Sequence, residues 1–388
     1  MTRITNSTER RRVLVVQRRL THYRVPFFIA LRNELAIRGA ELILAHGEPT
    51  HSEKTKGDEG YLPWAICLPT KYWLDGKLCW LNHTAVGPKH DLVVLTPENK
   101  MLSNLPQQYG ARGKRVALWG HGANLQGNPT SYREKFKRIV ARQTDWWFAY
   151  TDMSLPLIER TGFPKDRITV LNNSIDTAEM TAMRQNATPE SIKQLRDELN
   201  IQSDSVGIFV GSLYSEKRVE FMLEATAAIQ ARLPDFEFLV VGSGPKQSLV
   251  ENFCTQHKWA KYLGVRKGQA KVDAMALAKV MINPGLVGLG ILDSFVCGVP
   301  MVTTDCGLHS PEIVYLDHCV NGLMTANTTD DYASAVVALL SNEATLAKLQ
   351  AGCSTSAKKY TVDNMARNFA EGVSRCLDAP KYRGSARL

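Results

Sequence analysis

The 388-residue chain contains no run of 18 apolar residues, so no part of it is expected to cross a bilayer as a helix. Its opening residues, MTRITNSTERRR, are polar and hold no apolar core of the kind found in a secretory leader. Eight cysteines (Cys67, Cys79, Cys254, Cys297, Cys306, Cys319, Cys353 and Cys376) form no CxxC pair. That pattern suits neither a zinc ribbon nor a disulfide framework and predicts a reducing, cytoplasmic setting. Asp-x-Asp is absent, and the nine histidines show no HxxxH spacing, so neither a metal nor another cofactor is expected. No internal repeat or low-complexity segment stands out.

What is present is an ordinary globular composition, 44% hydrophobic and 22% charged. At this length one core stops growing, which predicts two domains of about 150–200 residues each. The net charge of +9 is unevenly placed: residues 1–180 hold 26 Lys and Arg against 17 Asp and Glu, and the remainder 21 against 21. Two readings stay open for the basic half. One is a solvated surface; the other is an anionic partner, whether a phosphorylated substrate, a membrane surface or nucleic acid. No nucleic-acid motif accompanies the charge, so nucleic acid is not expected.

Short apolar runs alternate with helical patterns. RVLVVQ (residues 12–17) reads as a strand, and PFFIALRNELAI (26–37) has helical spacing ended by Gly39. ELILAHG, DLVVLT, RVALWGHG and DWWFAYT read as further strands. A second series starts near Val206: VGIFVG, the helix VEFMLEATAAIQARL, then FEFLVVG, KVMINPG and VPMVTT. Continuous apolar strands separated by helices predict parallel sheets covered on both faces. Residues 183–204 are polar and hold no apolar strand, so the linker is expected there or just after Asp176.

Three glycine-bearing turns follow strands of the second series: Gly211-Ser-Leu-Tyr-Ser-Glu-Lys217, Gly242-Ser-Gly-Pro245 and Gly285-Leu-Val-Gly-Leu-Gly-Ile-Leu-Asp293. Glycine at a strand's end lets backbone N–H groups approach a phosphate, and a following helix N-terminus adds partial positive charge. Lys217 supplies a point charge, and Asp293 a carboxylate suited to ribose hydroxyls. Three such turns in one domain predict phosphate binding.

The order GSLYSEKR, VVGSGP and NPGLVGLGILDSFVCGVPMVTTD, followed by HSPEI and NGL, resembles the donor-binding domain of retaining glycosyltransferases of family 4 (group 1). QRRLTHYRVPFF, LWGHG and VLNNSID extend the resemblance over nearly the whole chain. It implies an α/β fold of GT-B type: two Rossmann-like, doubly wound parallel-sheet domains facing an interdomain cleft. The implied bounds are an acceptor-side domain at 1–180, a linker region at 181–204, and a nucleotide-sugar donor domain at 205–362. A helix at 363–388 would cross back toward the first domain. Donor-binding residues would be Gly211, Ser212, Lys217, Gly242, Gly244, Gly285, Gly288, Leu289, Asp293, His309 and Glu312. Among them Lys217 would hold the diphosphate, the amides of Gly288 and Leu289 would meet phosphate, and Asp293 would bind ribose. His121, between two glycines at a strand end, would face the donor sugar as the catalytic-site histidine. Ser212 stands where the family has arginine, and Gly285 where it has the first of two paired glutamates; His309 and Glu312 are the candidates to take over that glutamate's sugar contact.

The acceptor is expected at the loop holding Arg18, Arg19, His22, Tyr23 and Arg24. Trp64, Trp73 and Trp80 with Tyr61 and Tyr72 either fill a core or form an interfacial patch. With the basic half, such a patch would fit a glycan or lipid-linked acceptor met at the inner membrane face, in surface polysaccharide or lipopolysaccharide synthesis. A sugar-nucleotide epimerase, a phosphorylase or a non-catalytic subunit of the same architecture remain the competing readings.

Overall fold

The structure is a computed structural model, and it describes residues 10–55, 57–98, 100–110, 114–122 and 143–382; the polar segment 1–9 lies outside these. The chain divides into two compact units, Met1–Ile175 with Val362–Leu388, and Asp176–Thr361.

The first unit holds a seven-stranded, all-parallel sheet in the order β3-β2-β1-β6-β7-β8-β9. Its strands are β1 (Arg11–Gln17), β2 (Ala40–Gly47), β3 (Ile66–Leu68), β6 (Leu92–Leu95), β7 (Arg115–Gly120), β8 (Trp146–Ala149) and β9 (Ile168–Val170). Val13 and Val15 of β1 bury on one face, and Leu14 and Val16 on the other, as period-two alternation in a doubly covered sheet requires. The helices Val25–Ile37 and Val362–Asp378 cover the first face, setting Phe27, Phe28 and Phe369 against Trp119 and Phe148. The rings of Phe148 and Phe369 stack 4.2 Å apart. On the other face lie Met101, Ile158 and an antiparallel hairpin, β4 (Thr70–Trp73) with β5 (Leu78–Leu81).

The second unit holds a six-stranded parallel sheet, β12-β11-β10-β13-β14-β15. These are β10 (Val206–Val210), β11 (Glu237–Val241), β12 (Ala260–Gly264), β13 (Val280–Ile282), β14 (Met301–Thr304) and β15 (Gly322–Thr325). The order reverses direction between β10 and β13, and in the first unit between β1 and β6. At such switch points the loops leaving adjacent strands part in opposite directions and open a crevice at the strands' carboxyl ends.

Two features depart from the sequence reading. The polar stretch expected to link the domains forms two helices of the second unit, Ala178–Asn186 and Pro189–Glu198. Neither buries a residue fully; Thr188 caps the second through the Ser191 N–H, and Gln269 Nε2 donates to the Met183 carbonyl at 3.0 Å. Polar composition alone does not distinguish a linker from a surface helix. The tryptophan cluster also divides: Trp64 is half-buried under the Arg32 guanidinium, whereas Trp73 and Trp80 are 46% and 41% exposed.

Candidate functional site

In the second unit the three glycine turns meet. Gly211 N–H donates to the Val241 carbonyl at 3.0 Å and Leu213 N–H to Ser243 at 2.9 Å, while Lys246 N–H returns to Leu213 at 2.9 Å. The approach is too close for any side chain. A Cβ on Gly242 would fall 1.8 Å from the Gly211 oxygen, and one on Gly244 2.6 Å from that of Leu213, both at positive φ. The third turn joins the first through Leu286 N–H, which donates to the Glu216 carbonyl at 2.8 Å. A Cβ on Gly285 would lie 2.4 Å from the Lys217 carbonyl carbon, so the position where the family carries glutamate admits none here without movement of the first turn.

Lys217 sits at this junction, half-buried, with Nζ donating to the Leu286 carbonyl at 2.5 Å. Burial lowers its pKa to about 8, and it makes no ion pair with a described residue. Leu289 is the N-cap residue of the helix Gly290–Cys297; Ile291 N–H donates to the Gly288 carbonyl at 3.1 Å and Leu292 N–H to that of Leu289 at 3.0 Å. Asp293 stands in that helix. Its Oδ2 accepts from Lys271 Nζ at 3.0 Å; burial raises its pKa against the pull of that cation. Ser212 is exposed.

The two residues expected to replace the missing glutamate face inward. His309 Nδ1 accepts from Val287 N–H at 3.1 Å, and Nε2 therefore donates to the Thr304 carbonyl at 2.8 Å. Burial lowers its pKa, so the ring acts as a neutral brace between the third turn and the end of β14. Glu312 is 4% exposed in the short turn Pro311–Tyr315. The sequence reading passed over Arg218. Its φ is 55°, and its guanidinium reaches the Pro284 carbonyl, Thr304 Oγ1 and Asn327 Oδ1 while lying 4.1 Å from the centre of the Phe221 ring. Only the Lys217-Arg218 pair hinted at it, because its partners are 66 to 109 positions away.

In the first unit His121 follows β7, and both flanking glycines are required. A Cβ on Gly120 would lie 2.7 Å from Pro97 Cγ, and one on Gly122, at φ 81°, 2.5 Å from Ile158 Cγ1. The ring sits edge-on to Tyr150 at 4.1 Å. Although His121 has solvent-accessible surface, the protein around its ring and then the Arg24 charge push its pKa down, leaving a neutral imidazole at pH 7. Arg24 is buried, donates to Asn173 Oδ1 at 2.9 Å, and lies 5.2 to 5.7 Å from the rings of Tyr23, Trp119 and Tyr150.

The remaining cations of the loop after β1 are spent within the unit. Arg18 forms a fork with both Glu53 oxygens, at 2.6 and 2.9 Å, and meets Glu98 at 3.1 Å. Arg19 forks onto Asp58 at 2.7 and 2.8 Å. His22 Nδ1 is 3.3 Å from the Asp58 carbonyl, and Tyr23 is 39% exposed. The expected cationic loop is therefore charge-compensated, with His22 and Tyr23 its exposed members.

Comparison with known proteins decides the class. Residues 204–342 match the family model of the glycosyl transferases group 1. The GDP-mannose-dependent alpha-(1-6)-phosphatidylinositol monomannoside mannosyltransferase of Mycolicibacterium smegmatis is 21% identical over 358 residues, covering 84% of this chain and 88% of its own. The chain is a glycosyltransferase, and its residues 204–342 match the group 1 model. Its GT-B fold is shared with solved structures. Anabaena HepE in complex with UDP has a TM-score of 0.69 at 14% identity, covering 94% of this chain and all of its own. A Rickettsia africae glycosyltransferase has 0.69 at 15%, covering 96% and all of its own. In this transferase the family match takes in all three glycine turns, Lys217, Asp293 and His309.

Proposed function

We propose that this transferase moves a sugar from a nucleotide-sugar donor to a hydroxyl of a glycolipid or polysaccharide acceptor, with retention at the anomeric carbon, without a metal and at a membrane surface. One observation carries the donor side: Lys217 stands without an ion-pair partner among the described residues at the switch point of the second sheet. The crystallised complex of HepE with UDP, and a relative named for GDP-mannose and a phosphatidylinositol mannoside, support the two substrate classes.

In this reading the Lys217 ammonium leaves the Leu286 carbonyl for a diphosphate oxygen, and the amides near Gly288 and Leu289 meet the same group. Asp293 Oδ1 accepts from ribose, while Oδ2 stays with Lys271. The bond from the anomeric carbon to the diphosphate breaks as the acceptor oxygen bonds on the same face, and the acceptor's proton passes to the departing diphosphate. The protein then contributes positioning and charge stabilisation rather than a nucleophile.

Lys217→Ala tests this. A charge-assisted hydrogen bond of about 1.5–3 kcal/mol predicts a loss of roughly 10- to 100-fold in affinity for a nucleoside diphosphate by calorimetry. In the unaltered enzyme, affinity should fall as pH rises past about 8, where the free lysine loses its proton. Unchanged affinity in the variant would remove Lys217 from the site.

A further inference from the structure

The opposite, N-terminal ends of β1, β6 and β7 border a pocket of about 670 Å³ that no donor residue touches. Arg10, Lys89 and Lys114 line it. Arg11 and Arg12 are taken by Asp378 and Glu41, and Lys114 Nζ donates to Gln107 Oε1 at 2.7 Å. Arg10 and Lys89 make no ion pair with a described residue and are exposed. Two imidazoles complete the wall. His90 is 7% exposed, and its Nε2 has no hydrogen-bond partner among the described residues; the same holds for both ring nitrogens of His83. Buried ring nitrogens are costly to leave unpaired, and that these share one pocket with Arg10 and Lys89 points to an anionic ligand. Burial first, and then neighbouring cations, hold both rings below the ordinary imidazole pKa; an incoming anion would offset those cations.

The pocket shares His83, Gly87, Pro88 and Gln107 with a second hollow of about 460 Å³, along which run Trp80, Leu81 and Pro106. Trp80 belongs to the β4–β5 hairpin. Register pairs Tyr72 with Cys79 toward the core, which leaves Lys71, Trp73, Leu78 and Trp80 on the outer face. Leu74, 68% exposed at φ 51°, forms the hairpin's tip beside Lys77. Adjacent tryptophans and lysines on an open two-stranded face suit the headgroup region of a bilayer rather than water.

We propose that this face of the first unit docks on an anionic bilayer, with a lipid phosphate in the cationic pocket and Trp80, Trp73 and Leu74 in the interface. This deepens the membrane part of the proposed function, but its test needs no sugar transfer, so the two can fail separately. Full-length protein would be sedimented with vesicles of phosphatidylcholine alone and of phosphatidylcholine with phosphatidylglycerol. Binding is expected only with phosphatidylglycerol, weakening as salt rises. Arg10→Gln and Lys89→Gln should each weaken it about fivefold. Trp73→Ala and Trp80→Ala should each weaken it about tenfold. All four should leave the urea unfolding midpoint of the first unit unchanged, which confirms that this unit is folded. Equal binding to both vesicles, absence of binding, or unaltered binding by the variants would overturn the proposal. So would capture of inorganic phosphate, sensitive to the cation variants, without vesicle binding; that result would make it a free-anion site.

Discussion

Arg18 and Lys217 both leave water after the first strand of their sheets, but only Arg18 finds carboxylates. Burial works against the Arg18 charge, yet hydrogen bonds to Glu53 and the nearby Glu98 more than offset it and raise its pKa. In return Arg18 first, with Thr50, lowers the Glu53 pKa from 4.5 to about 2. A carboxylate depressed by folding stabilises the fold above its unfolded pKa and loses that contribution as pH falls through the folded value. Glu53→Gln should therefore cost about 2–3 kcal/mol in urea unfolding at pH 7. The gap between variant and wild type should close as pH falls from 4.5 toward 2. Equal stabilities at pH 7 would assign the Arg18–Glu53 fork no structural role. Lys217 keeps its charge unneutralised, which is costly for the fold and useful for a phosphate.

At the scale of elements, the helix Val362–Asp378 completes the first unit's core although it lies nearly 200 residues downstream of the rest. Val362, Met365, Phe369, Val373 and Cys376 are buried along it, an apolar stripe at helical spacing. Phe369→Ala, which removes the ring stacked on Phe148 and packed near Phe27 and Trp119, should destabilise the first unit by about 3–5 kcal/mol. Nucleoside diphosphate affinity in the second unit should not move. Loss of that affinity together with stability would show that the helix supports both units. The stripe itself is readable in the sequence; the partner it covers is not, because sequence distance carries no information about which sheet face is still bare. The strands β3, β9, β12 and β15 were equally unreadable: they are the edges of the two sheets, and none carries the fully buried apolar run of central strands as short as β6, β8 or β13.

For the whole molecule, the second unit is one continuous segment with its own buried core, so ligand binding there should register as stability. A nucleoside diphosphate at a hundred times its dissociation constant should add about 2.7 kcal/mol to unfolding. In the proposed reading Lys217 and backbone amides supply the positive field without a metal, so that gain should persist in EDTA, as should sugar transfer. Loss in EDTA with recovery in magnesium or manganese would replace the metal-free reading. Thermal unfolding across a panel of nucleotides, with and without EDTA, measures both points.

The sequence by itself determined the parallel, doubly wound architecture, the long strands and the three glycine turns. Each is a local matter of period, length and punctuation. It also placed His121 between obligatory glycines. Only the tertiary structure decided which charges are free. Arg18, Arg19 and Arg24 look like Lys217 on paper, but Glu53, Asp58 and an aromatic cage absorb them while Lys217 meets one carbonyl. It alone showed that His309 turns inward and that Gly285 sits under the backbone of Lys217. Charge pairing and close approach depend on partners tens to hundreds of residues away, and a spacing pattern within one segment cannot encode them.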